Sequence, residues 1–115
     1  MRARAWMALA WALVPLLALA DPVLHVGSKR FTESYILGEI VRQTAQAAGE
    51  ATATHSQGLG NTAIVHSALT SGSIDVYPEY TGTIAKEILK LDAVPSLREL
   101  NEKLAPMGLA AGVPL

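Results

Sequence analysis

Short apolar runs alternate along this chain with longer runs of helical period, and that order limits the folds open to it. Residues 22–26, Pro-Val-Leu-His-Val, read as a first strand ending at Gly27-Ser28. From Thr32 to Ala48 the apolar residues Tyr35, Ile36, Ile40, Val41, Ala45 and Ala48 recur at helical spacing, with Gly49 as the stop. A weaker strand follows over residues 51–56. After the loop 57–60, a helix over about residues 61–70 turns Ile64, Val65, Ala68 and Leu69 inward, with Asn61 as its N-cap. Ser71-Gly72-Ser73 leads into a third strand at residues 74–77, then a helix from near Thr83 to Leu91. Ser96 and Glu99 form a capping box that opens a last helix through about Pro106. Strands joined through helices pair in parallel, and parallel sheets are covered by helices on their faces. The expected fold is therefore α/β, a parallel sheet flanked by helices. Such sheets bind ligands at the carboxyl ends of their strands.

The densest chemistry lies in Ile74-Asp75-Val76-Tyr77-Pro78-Glu79-Tyr80-Thr81-Gly82-Thr83. Pro78 removes a backbone N–H and fixes φ, so the chain must leave the sheet there. Thr81-Gly82-Thr83 supplies small residues and hydroxyls where the next helix begins, and unpaired N–H groups at such a start favour an anion.

The amino end has a different character. Arg2 and Arg4 precede an apolar run over residues 5–19, broken by Pro15, and Ala18-Leu19-Ala20 precedes Asp21. This is the pattern of a secretory signal peptide over residues 1–20, cut after Ala20, with a transmembrane anchor as the other reading. Residues 21–115 then form the folded part, expected to be periplasmic. With Arg2 and Arg4 gone, seven basic residues face ten acidic ones, a net of −3. That mild acidity argues against a nucleic-acid partner. The sequence has no cysteine, which excludes disulfides, zinc thiolates and lipidation at cysteine. Its last residues, Ala110-Ala111-Gly112-Val113-Pro114-Leu115, read as the lead-in to a further strand, so a truncated or split coding sequence is expected.

Several residues admit two readings. Lys29, past the first strand and before a helix start, is either a solvated lysine or a cation facing a ligand, beside N–H groups around Phe31 and Thr32. Tyr77 is either a strand-end core residue or one ring of a cage around a quaternary ammonium, and Tyr80 is the better-placed ring. Thr81 and Thr83 either cap the helix or offer hydroxyls. Asp75 and Glu79 look like paired carboxylates, but a structural role for Glu79, accepting turn or helix N–H bonds, suits the spacing better than acid–base catalysis. His25, His55 and His66 lack metal-ligand spacing and read as single packed or exposed histidines. Gly58-Leu59-Gly60-Asn61-Thr62-Ala63 matches a dinucleotide-binding fingerprint, which would make the chain an exported nucleotide-binding oxidoreductase domain; the polar strand before it is the wrong setting.

Taken together, Gly27-Ser28-Lys29-Arg30-Phe31-Thr32-Glu33, Ile36-Leu37-Gly38-Glu39, Leu59-Gly60-Asn61-Thr62 and Asp75 to Thr83 resemble the substrate-binding proteins of ABC importers for glycine betaine, choline, carnitine and proline. The resemblance implies a type II periplasmic-binding-protein fold, of which this chain is part of the first lobe. It implies capture without catalysis and without a cofactor. Its partners would be a small zwitterionic osmolyte, an inner-membrane permease with its ATPase, and, for a split protein, a separately encoded second lobe. By the same resemblance Lys29 holds the ligand carboxylate, Tyr80 belongs to an aromatic cage, and Asn61 or Thr62 touches ligand; Thr83 is the hydroxyl assigned to that carboxylate, with Thr81 as helix cap.

Overall fold

The computed structural model describes residues 22–115, so the expected signal peptide lies outside the described residues. Strand β1 (Val23–Gly27) leads to helix α1 (Thr32–Ala48), strand β2 (Thr52–Ser56) and helix α2 (Thr62–Thr70). A short helix α3 (Thr81–Thr83) runs into a π-helical turn (Ile84–Ile88). Helix α4 (Leu97–Leu104) ends in a 3-10 turn (Ala105–Met107). β1 and β2 pair in parallel, in a register that runs from Val23 opposite Thr52 to Gly27 opposite Ser56.

The expected third strand contracts to a single parallel bridge, Val26 to Val76, on the other side of β1. Asp75 N–H donates to His25 O at 2.7 Å and Gly27 N–H to Val76 O at 2.8 Å. The ladder stops there on both sides for physical reasons. Ile74 N–H is turned back to Ala68 O, and Pro78 has no N–H to give. β1 is thus central, and all three strand segments end on the same side.

The helices start largely where their caps predict. Asn61 Oδ1 accepts from Ile64 N–H at 3.1 Å, and Ser96 Oγ accepts from Glu99 N–H at 3.2 Å. Thr81 is not a cap: Tyr80 holds that position without a side-chain hydrogen bond, and Thr81 is already helical. The following helix also begins earlier than expected. It is wound as a π turn, with Leu89 N–H donating to Ile84 O at 2.9 Å, and ends by Lys90 at φ 56°.

The inward face of α1 differs from the apolar spacing. Ile36 and Ile40 are exposed, whereas Ser34 and Gly38 are buried. Each small residue has a reason to be inside. Ser34 Oγ accepts from Lys29 N–H at 2.8 Å, and Gly38 lies against the His55 ring so closely that a Cβ would fall 2.5 Å from Nε2. On α2 only Val65 is fully buried and Ile64 is half exposed, while Leu100 and Leu104 carry the buried face of α4. The segment after α4 is held by Asn101, whose amide donates to Ala111 O at 3.0 Å and accepts from Ala111 N–H at 2.6 Å.

Gly38→Ala should therefore lower unfolding stability by about 1–3 kcal/mol in urea denaturation, the usual cost of overpacking. Gly82→Ala, where a Cβ meets nothing within 4 Å, should leave stability unchanged or slightly raised. Equal midpoints for the two variants would show that His55 yields freely to the new methyl group.

Candidate functional site

Each strand segment ends in a loop, and the three loops meet. Those after β1 and β2 are laced by main-chain bonds: Ser28 N–H to Ser56 O at 3.2 Å, Leu59 N–H to Ser28 O at 3.0 Å and Arg30 N–H to Gly60 O at 3.0 Å. Gly60 suits this lacing because Ile64 packs on it, 2.7 Å from where a Cβ would stand. The loop after Val76 is joined to the first by one ion pair, Lys29 Nζ to Glu79 Oε1 at 2.8 Å. The two side chains are only 10% and 4% exposed.

Around that pair the lysine is fully engaged. Its ammonium also donates to Thr62 Oγ1 at 3.2 Å and lies 5.5 Å from the Phe31 ring centre and 5.9 Å from that of Tyr80. In this structure Lys29 is buried and its charge is met by Glu79. Glu79 Oε1 also accepts from Tyr80 N–H at 3.0 Å, so one oxygen holds the first loop to the start of α3. The N–H bond was expected of Glu79; the pairing with Lys29, fifty residues away, carries no local sequence signal.

Two hollows open on either side of this pair. The larger, about 580 Å³, has Phe31, Tyr77, Tyr80 and Thr81 on its wall with Glu79, His66 and apolar residues such as Leu37, Leu69 and Ile84. The smaller, about 530 Å³, is walled by Lys29, Phe31, Asn61 and Thr62 with Arg30, Gly60 and Ile64. The expected site residues thus divide between two faces, and Phe31 reaches both. Thr32 and Thr83 line neither hollow. Asn61 is occupied as the α2 cap, and Thr62 as an acceptor for Lys29.

The tyrosine hydroxyls are kept protonated. Burial pushes the Tyr77 hydroxyl well above its usual range, with the Glu79 charge adding to the effect. Tyr80 is raised chiefly by the Glu33 carboxylate beside it. Asp75 and Glu79 do not act as a pair, since Asp75 Oδ2 accepts from His25 N–H at 2.7 Å.

A partly buried polar line escaped the sequence reading. Ser28 Oγ lies 2.8 Å from His55 Nε2, and His55 Nδ1 lies 3.2 Å from Glu39 Oε2. A carboxylate only accepts, so Nδ1 carries a proton toward Glu39. Hydroxyl, imidazole and carboxylate follow the order of a hydrolytic triad, but Ser28 is 0% exposed and no substrate carbonyl can reach it. The line instead pins β1, β2 and α1 together beneath the loops. Ser34 and Gly38, small residues interrupting an apolar helical stripe, were the one sequence sign of it. Among the described residues no cluster of metal-ligating side chains occurs.

With this geometry in view, the comparisons with known proteins identify the chain's relatives. The family described as the substrate-binding domain of ABC-type glycine betaine transport systems matches residues 22–108. The chain belongs to that family. It is 49% identical over 74 residues to the glycine betaine-binding protein YehZ of Escherichia coli strain K12, a match that covers 64% of this chain and 23% of that protein. An apo structure of YehZ from Escherichia coli superposes with a TM-score of 0.62 at 33% identity, covering 76% of this chain and 32% of that one. The fold is accordingly that of a type II periplasmic binding protein. The family also removes the dinucleotide reading of residues 58–63, which here form the turn that receives Arg30 and the cap of α2.

Within this family member the Lys29–Glu79 pair should be costly to split. Glu79→Ala leaves a buried ammonium without its anion and should destabilise by about 3–5 kcal/mol, while the double variant Lys29→Met, Glu79→Leu should recover most of that loss. Urea midpoints of the two decide it. A pH effect follows from Glu39, whose bonds from Arg42, Gln43 and His55 hold its pKa at about 2 instead of 4.5. Its folded-state value is depressed, so its contribution is complete above pH 4.5 and is lost as pH falls toward 2. Glu39→Gln should flatten the acid limb of stability in that window, as followed by unfolding at a series of pH values.

Proposed function

We propose that this chain supplies the ligand-facing loops of a protein that captures glycine betaine or a related quaternary-ammonium osmoprotectant, such as choline, carnitine or proline betaine, for an ABC importer. The observation that carries the proposal is the family match over residues 22–108 to a segment that sets Phe31, Tyr77 and Tyr80 around one cavity. A quaternary ammonium donates no hydrogen bond, so a site for it relies on ring faces and exclusion of water. Each ring contributes about 0.5–2 kcal/mol, and several are needed.

The chain spans 23% of the length of the curated relative it matches, so further rings are expected from outside it, including from a separately encoded second lobe. Delivery to a permease and its ATPase in the inner membrane, export to the periplasm by the segment 1–20, and binding without catalysis belong to the same proposal. Lobe closure on the ligand would be the signal read by the permease.

The test is a two-dimensional amide NMR titration of the full chain with millimolar glycine betaine. Shifts should gather at Phe31, Tyr77, Tyr80 and Thr81, and Tyr80→Ala should weaken binding about two- to thirtyfold, the loss of one ring contact. Scattered shifts, or none in a folded spectrum, would refute the proposal.

A further inference from the structure

The two edges of the sheet are finished differently. On β2, Thr52 N–H donates to Pro22 O, so Ala53 N–H points outward, where Gln46 Oε1 accepts it at 3.0 Å. A side chain thus occupies a donor that would otherwise invite another strand. The opposite edge has no such cover. Val76 turns both main-chain groups to β1, its N–H donating to His25 O and its O accepting from Gly27 N–H. Tyr77, one residue on, presents its own N–H and C=O to the far side, and among the described residues neither has a main-chain partner.

Beyond that edge lies the 580 Å³ cavity, and its far wall is the segment 109–115, held in place by the paired bonds between Asn101 and Ala111. Among the described residues no main-chain bond joins this segment to residues 74–78, and Ala110 and Gly112 make none at all. Leu37 and Val41 of α1 and Leu69 of α2 wall the same space. Paired strands lie about 4.8 Å apart, whereas here a cavity separates two segments of strand composition, each with main-chain groups to spare. A helix cannot use those groups, because its own main chain is satisfied internally; an extended strand can. A second copy of the chain has no such strand to give, since its β2 edge is closed by Gln46 and its segment 109–115 walls its own cavity. The match to YehZ, however, covers only 23% of that protein, so most of a chain of that kind lies outside the part seen here.

Resting on the reading above that this chain is one part of a substrate-binding protein, we propose that the deep part of the cavity is a strand slot. An extended, largely apolar segment from the remainder of that protein inserts between residues 74–77 and 109–113, bonding to Tyr77 on one side and to Ala110 and Gly112 on the other. The two parts are therefore joined by strand addition into the sheet. Phe31 and Tyr80 stand past the carboxyl ends of β1 and of residues 74–77, so the inserted strand ends beneath them and leaves their ring faces to the ligand.

The test mixes the full chain with the part of Escherichia coli YehZ outside the matched segment, without glycine betaine, and follows main-chain hydrogen exchange by two-dimensional NMR. A complex should form in which the N–H groups of Tyr77, Ala110 and Gly112 exchange about tenfold or more slowly than in the free chain. Val41→Arg and Leu69→Arg each place a charge in the slot and should weaken association about tenfold or more; either one that keeps a dispersed spectrum decides. Ile40→Arg, on the exposed face of α1, should leave association unchanged. Association without protection at the three amides, equal losses in all the variants, no association with the folded chain, or a dimer of the chain alone that protects the same amides would overturn the proposal. A complex that forms as described but shows no shift with glycine betaine would support the slot and count against the ligand reading alone.

Discussion

The ion pair between Lys29 and Glu79 is the contact through which three separate parts of the chain become one site. Main-chain bonds join the loops after β1 and β2, because parallel pairing brings those loops side by side. The segment after Val76 has no such help, since its ladder ends within two residues at Pro78. Glu79 restores the connection by reaching 2.8 Å from Lys29 while holding Tyr80 N–H. Two charges in so enclosed a place are further supported by Thr62, which accepts from the lysine, and by Tyr80 N–H, which donates to Glu79 Oε1.

Beneath the loops a second polar arrangement does for the sheet what apolar packing does elsewhere. Ser28, His55 and Glu39 come from the end of β1, from β2 and from α1, and each bond closes only if all three elements are in register. The ring of His55 needs the space that Gly38 leaves, and Ser34 needs the N–H of Lys29. Directional bonds of this kind fix the helix rotation more sharply than apolar contact, which explains why Ile36 and Ile40 face outward although their spacing suits a core.

That contrast marks what can be read from such a sequence. Helix α1 and its end, the caps Asn61 and Ser96, the parallel order and the position of the loops were legible because they follow from period, capping chemistry and strand order. The third strand was overdrawn: residues 74–77 have strand composition, but pairing depends on the neighbouring N–H groups, and Ile74 spends its own on Ala68. The π turn after Thr83 has no residue signature at all. At the strand ends, the loop positions of the rings and of Lys29 were legible because they follow from strand order, whereas the lysine's partner was not. An ion pair between residues fifty apart depends on how the loops fold over one another, and no local pattern records it.

The pairing also changes what the aromatic residues can do. Phe31 and Tyr80 already face the Lys29 ammonium at 5.5 and 5.9 Å, and an unneutralised lysine at that distance would repel a ligand cation approaching the same rings. Glu79 cancels most of that repulsion by standing closer to the lysine than the ligand would. The carboxylate is therefore what would allow a lysine and the proposed cation-binding wall to share one set of rings. With the lysine's charge met by Glu79, the pair acts as a neutral frame between the loops, and the proposed recognition is left to the ring faces.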